Sequence, residues 1–188
     1  MQGRFSGRKL RPLRPWAMPL LTLVLMLAAC QAKEPPLSPA AAAFKKEVKD
    51  CLVRLSTPLV APVVQSNQAA INEALKHAEP EAIKLCRMCP FRMGVLDREG
   101  DTLTVYPFKE EAMGNFSTYD VVVQTLKNRK INQQRFYLQD GSQMYIICAP
   151  LKQGEELAGI LALSLSAAEA KNRWGLTAQE FLRIDFNQ

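Results

Sequence analysis

Between residues 44 and 88, hydrophobic positions recur with the period of a helix. The pattern runs from residue 44 to 55, resumes from 63 to 75, and allows a short third helix from Pro80 to Met88. Prolines at positions 58 and 62 should interrupt it, because proline cannot donate the backbone hydrogen bond of a helix interior. The first segment places its apolar residues on one helix face; they are Phe44, Val48, Cys51, Leu52 and Leu55.

After Pro90 the period changes to that of strands. Asp97 to Asp101 is a turn sequence, and Asp140-Gly141 is a dipeptide typical of tight hairpins. A loop over residues 108–118 and a short helix over 119–127 separate the two predicted hairpins. The expected strands are residues 91–96, 102–106, 134–139, 143–149 and 157–165.

The chain is predicted to end in two short helices. Gly175 can end one helix, and Thr177-x-x-Glu180 has the form of a capping box that begins another. Together these patterns predict an α+β domain. Helices come first, then five mostly antiparallel strands with an insertion between the second and the third.

The first thirty residues have the layout of a secretory signal. An apolar run over residues 16–27 is too short to span a bilayer, which needs about 20 apolar residues. Leu27-Ala28-Ala29-Cys30 resembles a lipobox, in which cleavage precedes the cysteine and the thiol receives diacylglycerol. The alternative is an ordinary cleaved signal with a chance cysteine. The basic residues before the run are Arg4, Arg8, Lys9, Arg11 and Arg14.

Cleavage before Cys30 changes the charge of the chain. Five of its 24 basic residues lie in the signal, which leaves 19 against 18 acidic residues in the mature chain. A balance near +1 gives no reason to expect a nucleic-acid partner. Acyl chains would be the membrane anchor, and Gln31 rather than Asp after the cysteine favours the outer membrane over the inner one. The expected organisation is a signal over 1–29, the lipidated cysteine and a proline-rich tether over 30–43, and one domain over 44–188.

The strand half resembles a known sensor module. The segments 94–100, 140–150 and 157–163 resemble the sheet of an extracytoplasmic single Cache domain, which is PAS-like; the resemblance covers residues 44–167. It implies a five-stranded antiparallel sheet with one face on the N-terminal helix and a small ligand on the other face, beneath the insertion. Such domains usually bind small carboxylates, amino acids or amines and report to a signalling partner.

Two departures from the Cache pattern limit what the resemblance implies. Typical Cache sensors continue into a second membrane helix and a cytoplasmic signalling module, whereas this sequence stops at Gln188. It is therefore expected to bind a ligand but to depend on an envelope or signalling partner. The fixed amine-binding signature of the better-defined Cache subfamilies is also missing, so the resemblance does not supply the ligand class.

The second hairpin predicts which side chains share a face. With an even-length loop around Asp140-Gly141, the first face mixes a cation, a phenol and apolar residues, as a small-molecule pocket does. Arg135 there could bind a carboxylate in bidentate fashion, or it could lie on a solvated face. A one-residue change in loop length would invert the assignment. The expected pairs are Tyr137 with Met144, Arg135 with Ile146, and Gln133 with Cys148.

The insertion between the hairpins suits either a lid over that pocket or an ordinary structured loop. Its aromatic and short polar residues are Tyr106, Phe108, Asn115, Phe116, Ser117, Tyr119 and Asp120. A carboxylate or amino-acid-like metabolite is the expected ligand. The candidate ligand-binding residues are Arg135, Tyr137, Tyr106, Tyr119, Asp120 and Met144.

Four further cysteines, Cys51, Cys86, Cys89 and Cys148, offer an alternative chemistry. In an oxidising compartment they could form disulfides in three pairings or stay buried as thiols. A redox C-x-x-C needs the start of a helix to lower the thiol pKa, but this pair follows one. Haem attachment is excluded because Pro90, not histidine, follows the pair. A four-cysteine zinc or iron–sulfur site would need all four brought together.

The sequence gives little support to an enzyme. His77, the single histidine, is expected to be exposed near a helix end, and no nucleophile elbow, phosphate loop or paired-carboxylate motif appears. The first hypothesis is therefore a lipid-anchored, non-enzymatic binding module without a cofactor. A redox or metal-binding envelope lipoprotein is the second, and a purely structural lipoprotein is the third.

Overall fold

Three helices open the described part of the chain. The computed structural model describes residues 36–89 and 92–188, so the signal, Cys30 and residues 31–35 lie outside the described residues. Helix α1 spans Pro39–Ser56, α2 spans Val60–Val64 and α3 spans Gln68–Leu85, with a 3-10 turn over Thr57–Leu59. Within the described ranges no helix combines the length and hydropathy needed to cross a membrane.

Helix α1 begins earlier than the composition of the tether suggested. The Ser38 hydroxyl accepts a hydrogen bond of 3.1 Å from the Ala41 N–H, and Pro39 occupies the first helical position. Both features favour a helix start, and the alanines that follow are the best helix formers. The prediction of a tether up to residue 43 is therefore wrong for residues 39–43, which are helical.

Helix α3 continues through Pro80 instead of restarting there. Ala78 and Ala82, on either side of the proline, are both buried in the core. Most helical stability in proteins comes from such tertiary packing. This packing offsets the destabilisation that Pro80 causes inside the helix. The prediction of a separate helix from Pro80 to Met88 is wrong.

Five strands form one antiparallel sheet, which confirms the predicted α+β fold class. The spatial order is β2-β1-β5-β4-β3, so the last strand lies at the centre and the two hairpins flank it. The strands are β1 Met93–Leu96, β2 Thr102–Tyr106, β3 Asn132–Tyr137, β4 Gln143–Gln153 and β5 Glu156–Ser166.

The main core lies between the helices and one face of this sheet. Phe44 of α1 is fully buried, and its ring makes edge contacts with Trp174, Phe181 and Phe186 at centroid distances of 5.1, 6.3 and 6.4 Å. Tyr145 of β4 stacks on Phe181 at 3.9 Å. The predicted apolar face of α1 is confirmed, since Phe44, Val48, Cys51, Leu52 and Leu55 are all buried.

The C-terminal helices are joined to the start of α1. Helix α5 spans Ala167–Trp174 and α6 spans Ala178–Arg183, with the predicted capping box between Thr177 and Glu180. The Ser38 hydroxyl donates to the Glu180 carboxylate. This bond, followed by those from the Thr177 backbone and side chain, lowers the pKa of Glu180 to about 2.

Gly159 of β5 allows a close approach between three elements. A Cβ atom there would lie 2.4 Å from the Leu96 carbonyl oxygen of β1 and 3.2 Å from a Val63 methyl group of α2. Since neither backbone nor packed core yields easily, we expect Gly159→Ala to destabilise the fold by about 1–3 kcal/mol. Urea unfolding monitored by circular dichroism would measure it.

Gly114→Ala provides the matched control. A Cβ at Gly114 would meet nothing within 4 Å, so its urea midpoint should stay close to that of the unmodified chain. Equal midpoints for the two variants would contradict the close approach at Gly159.

Candidate ligand-binding cavity

The insertion between β2 and β3 covers the second face of the sheet. It contains a 3-10 turn over Glu110–Ala112 and helix α4 over Asp120–Asn128. Val121 and Val122 of α4 are buried and form a second apolar cluster with Leu96, Cys148 and Ile160 of the sheet. This smaller cluster holds α4 against the sheet at one side, and a cavity remains beside it.

A cavity of about 220 Å³ lies between the insertion and the sheet. Its floor is made of alternate residues of the strands, because successive side chains point to opposite faces. Gly94 of β1 pairs directly with Ala162 of β5, and these two small residues leave room above the sheet. The other floor residues are Leu96, Thr102, Val105, Phe136, Met144, Ile146, Cys148 and Ser164.

Three aromatic rings form a row along the cavity. Tyr119, at the start of α4, lies 5.3 Å from Phe116 of the insertion and 5.7 Å from Phe136 of β3, measured between ring centroids. All three residues line the cavity. The row therefore joins the insertion to the sheet with flat apolar surfaces.

Polar groups in the cavity are few. The Thr102 hydroxyl oxygen is buried and has no hydrogen-bond partner. Cys148 is fully buried, and burial raises the pKa of its thiol to about 12. Within the described part of the chain, no residue lining the cavity carries a charged side chain.

The second hairpin is out of the predicted register by one residue. Phe136 pairs with Met144 and Arg135 with Tyr145, so the predicted pairs of Tyr137 with Met144, Arg135 with Ile146 and Gln133 with Cys148 are wrong. The hairpin is closed by the bond from the Leu138 N–H to the Ser142 carbonyl oxygen, 2.8 Å.

The cause of the shift is the length of the hairpin loop. Three residues, 139 to 141, lie between Leu138 and Ser142, and Gly141 has the positive φ of 78° that such loops require. The prediction assumed an even loop. An odd one moves the whole of β3 to the opposite face.

The register places Arg135 on the helix side of the sheet. Its guanidinium carbon lies 5.0 Å from the centroid of the Tyr137 ring, and Arg135 is not among the residues that line the cavity. The prediction that Arg135 lies on the pocket face is therefore wrong.

The other five candidate residues divide between the cavity and its surroundings. Tyr119, Tyr137 and Met144 line the cavity. The Tyr106 hydroxyl instead donates to Glu79 of α3 over 3.0 Å, and burial followed by this bond raises the pKa of Tyr106. Asp120 is exposed at the first position of α4.

The remaining residues of the predicted lid have mixed positions. Phe116 lines the cavity, whereas Phe108 is 68% exposed. Asn115 donates to Asp101 over 2.9 Å and accepts from the Ser117 N–H over 3.0 Å. The bond to Asp101 holds the insertion against the turn between β1 and β2, and the bond from Ser117 orders the insertion itself.

Sequence reasoning missed most of the cavity floor. Gly94 and Ala162 gave one usable indication, since each is a small residue inside an apolar strand. Thr102 and Phe136 could not be assigned to the cavity without knowledge of the strand register. Their role follows only from which strands are neighbours.

The four cysteines do not form one site. Cys86 and Cys89 are joined by a disulfide, and Cys51 and Cys148 are buried free thiols. In the described residues, the group that could hold a metal is Cys86, Cys89 and Glu169, and a disulfide offers no thiolate to a metal. The prediction of a four-cysteine metal site is therefore wrong in its geometry.

The disulfide lies where helix α3 ends and the chain turns towards β1. Glu169 of α5 accepts from the Met88 N–H over 3.1 Å, and one of its oxygens lies 2.6 Å from Cys86 Sγ. Arg92 donates to the Cys86 carbonyl oxygen over 3.3 Å. These contacts connect the segment around the disulfide to α5 and to Arg92, at the junction of helix and sheet.

Comparisons with known proteins place the chain by fold alone. The sequence matches no protein-family model and no curated protein. Among solved structures, the ligand-binding domain of the Pseudomonas fluorescens chemoreceptor CtaA in complex with L-isoleucine is similar, with a TM-score of 0.54 and 12% identity. The alignment covers 84% of this chain and 63% of that one.

A second structure shares the fold over more of its length. It is the ligand-binding domain of the Campylobacter jejuni chemoreceptor Tlp3 in complex with L-valine, with a TM-score of 0.51, 12% identity, and coverage of 93% of this chain and 80% of that one. An extracellular ligand binding receptor from Desulfohalobium retbaense aligns over 27% of its own length. The chain thus spans less than two thirds of two of these three structures. The likeness confirms the α+β fold that the Cache resemblance implied.

The buried thiols lead to a prediction about reactivity. Burial raises the pKa of Cys51 to about 11 and that of Cys148 to about 12. A thiol with a pKa of 11 is ionised to only about one part in a thousand at pH 8, and only the thiolate reacts. Iodoacetamide at pH 8 should therefore leave both unmodified in the native chain and modify both in urea, as read by peptide mass spectrometry.

Cys86 and Cys89 serve as the internal control for this experiment. They should be modified only after unfolding and reduction together. Fast native modification of Cys148 would contradict its burial in the cavity floor.

Proposed function

We propose that this chain is an extracytoplasmic module that binds a small molecule, is held to a membrane by lipid on Cys30, and reports to an envelope or signalling partner. The observation that carries the binding part is the cavity of about 220 Å³ between the sheet and the insertion. Concave, mostly apolar clefts or cavities with a few polar groups are the usual form of small-molecule sites.

The position of the cavity also supports binding. It lies on the sheet face opposite the main helical core, beneath the insertion, where the resemblance to Cache domains implies a ligand. The similar domains of CtaA and Tlp3 are complexes with L-isoleucine and L-valine. Binding is therefore a role that this fold performs elsewhere.

The residues proposed to contact the ligand come from both walls of the cavity. Tyr119 and Phe136 offer ring surfaces, Met144 an adaptable apolar side chain, and Thr102 a hydroxyl. Tyr137 contributes at the end of β3. All five residues line the cavity.

The proposal assigns no catalysis to the module. Cys148 is a poor nucleophile because burial keeps its thiol protonated. His77 is exposed on α3 and pairs with Glu73 over 3.0 Å on the same helix. A nucleophile and a base would have to lie within hydrogen-bond reach for covalent catalysis, but Cys148 is fully buried in the cavity floor whereas His77 is exposed on the helical side of the sheet.

Ligand binding predicts a thermal shift that depends on the cavity. The full chain in lipid nanodiscs should gain stability from some member of a metabolite library, by RT ln(1 + [L]/Kd), or about 2.7 kcal/mol at a hundredfold excess over Kd. Ala162→Leu should abolish that gain, because a larger side chain opposite Gly94 fills the cavity. Differential scanning fluorimetry would measure both.

Ala168→Leu is the matched control, since it makes the same change at an exposed position of α5. It should keep the ligand-dependent gain. A library that stabilises neither the unmodified chain nor this variant would overturn the binding proposal.

The lipid anchor predicts a labelling pattern in cells. An alkynyl analogue of palmitate should label the chain, and Cys30→Ser should lose both the label and the membrane association. Cys51→Ala should keep both, because Cys51 is buried in the core. In-gel fluorescence after cell fractionation would measure this, and a density gradient should place the labelled chain in the outer membrane. An unlabelled chain released from the membrane would instead indicate an ordinary cleaved signal.

A further inference from the structure

No described residue of the cavity wall offers a charged side chain to a ligand. None of the described residues that line the cavity is an aspartate, glutamate, lysine, arginine or histidine. Arg135, which the sequence analysis proposed as the residue that binds a carboxylate, lies on the helix face of the sheet. Its guanidinium stacks on the Tyr137 ring. Transfer of an unpaired charge into such a site is strongly unfavourable. An amino acid would leave both its ammonium and its carboxylate unpaired.

The state of Cys148 agrees with this apolar character. The thiol lies in the cavity floor, fully buried, and burial is the cause of its raised pKa. A cation placed close by to hold a carboxylate would lower the pKa of such a thiol. The floor therefore favours neutral groups.

The size and walls of the cavity set the shape of the ligand. An apolar cavity of about 150 Å³ holds a benzene molecule, and this cavity measures about 220 Å³. The rings of Phe116, Tyr119 and Phe136 lie along it, and aromatic rings pack best in offset or edge-on contact with other rings. A single ring with a small substituent fits both the volume and the walls.

Thr102 supplies a polar group in the cavity wall that can orient such a ligand. The Thr102 hydroxyl can donate one hydrogen bond and accept two, and in this structure its oxygen is buried without a partner. A buried hydroxyl without a partner is destabilising, and a ligand hydroxyl would remove that cost. A ligand is therefore expected to carry a polar group beside Thr102.

Resting on the proposed binding function, we infer that the cavity binds an uncharged monocyclic aromatic molecule with one hydrogen-bonding group against Thr102. It excludes amino acids and carboxylates. The ligand of this chain therefore differs in class from the L-isoleucine and L-valine of the similar chemoreceptor domains.

Four small molecules test the inference by isothermal titration of the full chain in lipid nanodiscs, with empty nanodiscs subtracted. They are p-cresol, toluene, p-toluate and L-valine. We expect p-cresol to bind about two- to tenfold more tightly than toluene, which is the range that one hydrogen bond gives. We expect p-toluate and L-valine to bind at least about tenfold more weakly than p-cresol, because their charges stay unpaired.

Three variants assign the binding to the cavity. Thr102→Val keeps the shape of the side chain and should make the affinities for p-cresol and toluene equal, with toluene unchanged. Ala162→Leu should remove binding of both. Arg135→Gln, on the other face of the sheet, should change neither. If Ala162→Leu does not fold, the ratio of p-cresol to toluene affinities in Thr102→Val still decides the question.

The outcomes separate the ligand class from binding itself. Tight L-valine or p-toluate binding that Ala162→Leu abolishes would overturn the inferred class and leave the binding function standing. The inferred class would also be overturned, and the binding function would stand, if no aromatic probe binds but the metabolite library contains a ligand whose binding Ala162→Leu abolishes. Failure of both the four molecules and the library would overturn the inference and the binding function together.

Discussion

Side-chain alternation along β5 is the constraint on which the rest of this structure depends. Leu161, Leu163 and Leu165 point to the helices and are fully buried there, while Ala162 and Ser164 between them face the insertion. Because β5 is the central strand, its two faces set the two layers of the molecule. One layer is filled with large side chains and stabilises the fold. The other layer has small side chains on β5 and leaves the space that forms the cavity.

Much of the fold followed from local patterns in the sequence. The apolar face of α1, the two hairpins, the central apolar strand and the capping box at Thr177 are each encoded within a few residues. The prediction of a separate helix from Pro80 was wrong because α3 continues through that residue with Ala78 and Ala82 packed in the core. A local sequence pattern contains no information about such packing. The start of α1 was misjudged because the alanines before residue 44 lack the apolar period, although Ser38 and Pro39 carried a capping signal.

The candidate site was less predictable, for a reason that lies in one turn. Asp140-Gly141 is compatible with a two-residue loop and with the three-residue loop that forms, and the side chain of Asp140 accepts from the Ser142 N–H over 2.9 Å in the latter. Because the loop has an odd number of residues, Phe136 rather than Arg135 lies on the cavity face of the sheet. Gly94 and Ala162 could not be paired from the sequence, because they lie in strands β1 and β5, which are far apart in the chain.

The bond between Ser38 and Glu180 limits where the proposed partner would lie. It fixes the start of α1 to the body of the domain, and eight residues separate Cys30 from Ser38 in the sequence. If Cys30 is lipidated as proposed, those eight residues reach at most roughly 28 Å even when fully extended. The domain would then stay within one small-domain diameter of the bilayer surface. A partner of the kind proposed would then have to present its own surface in that same thin layer next to the membrane.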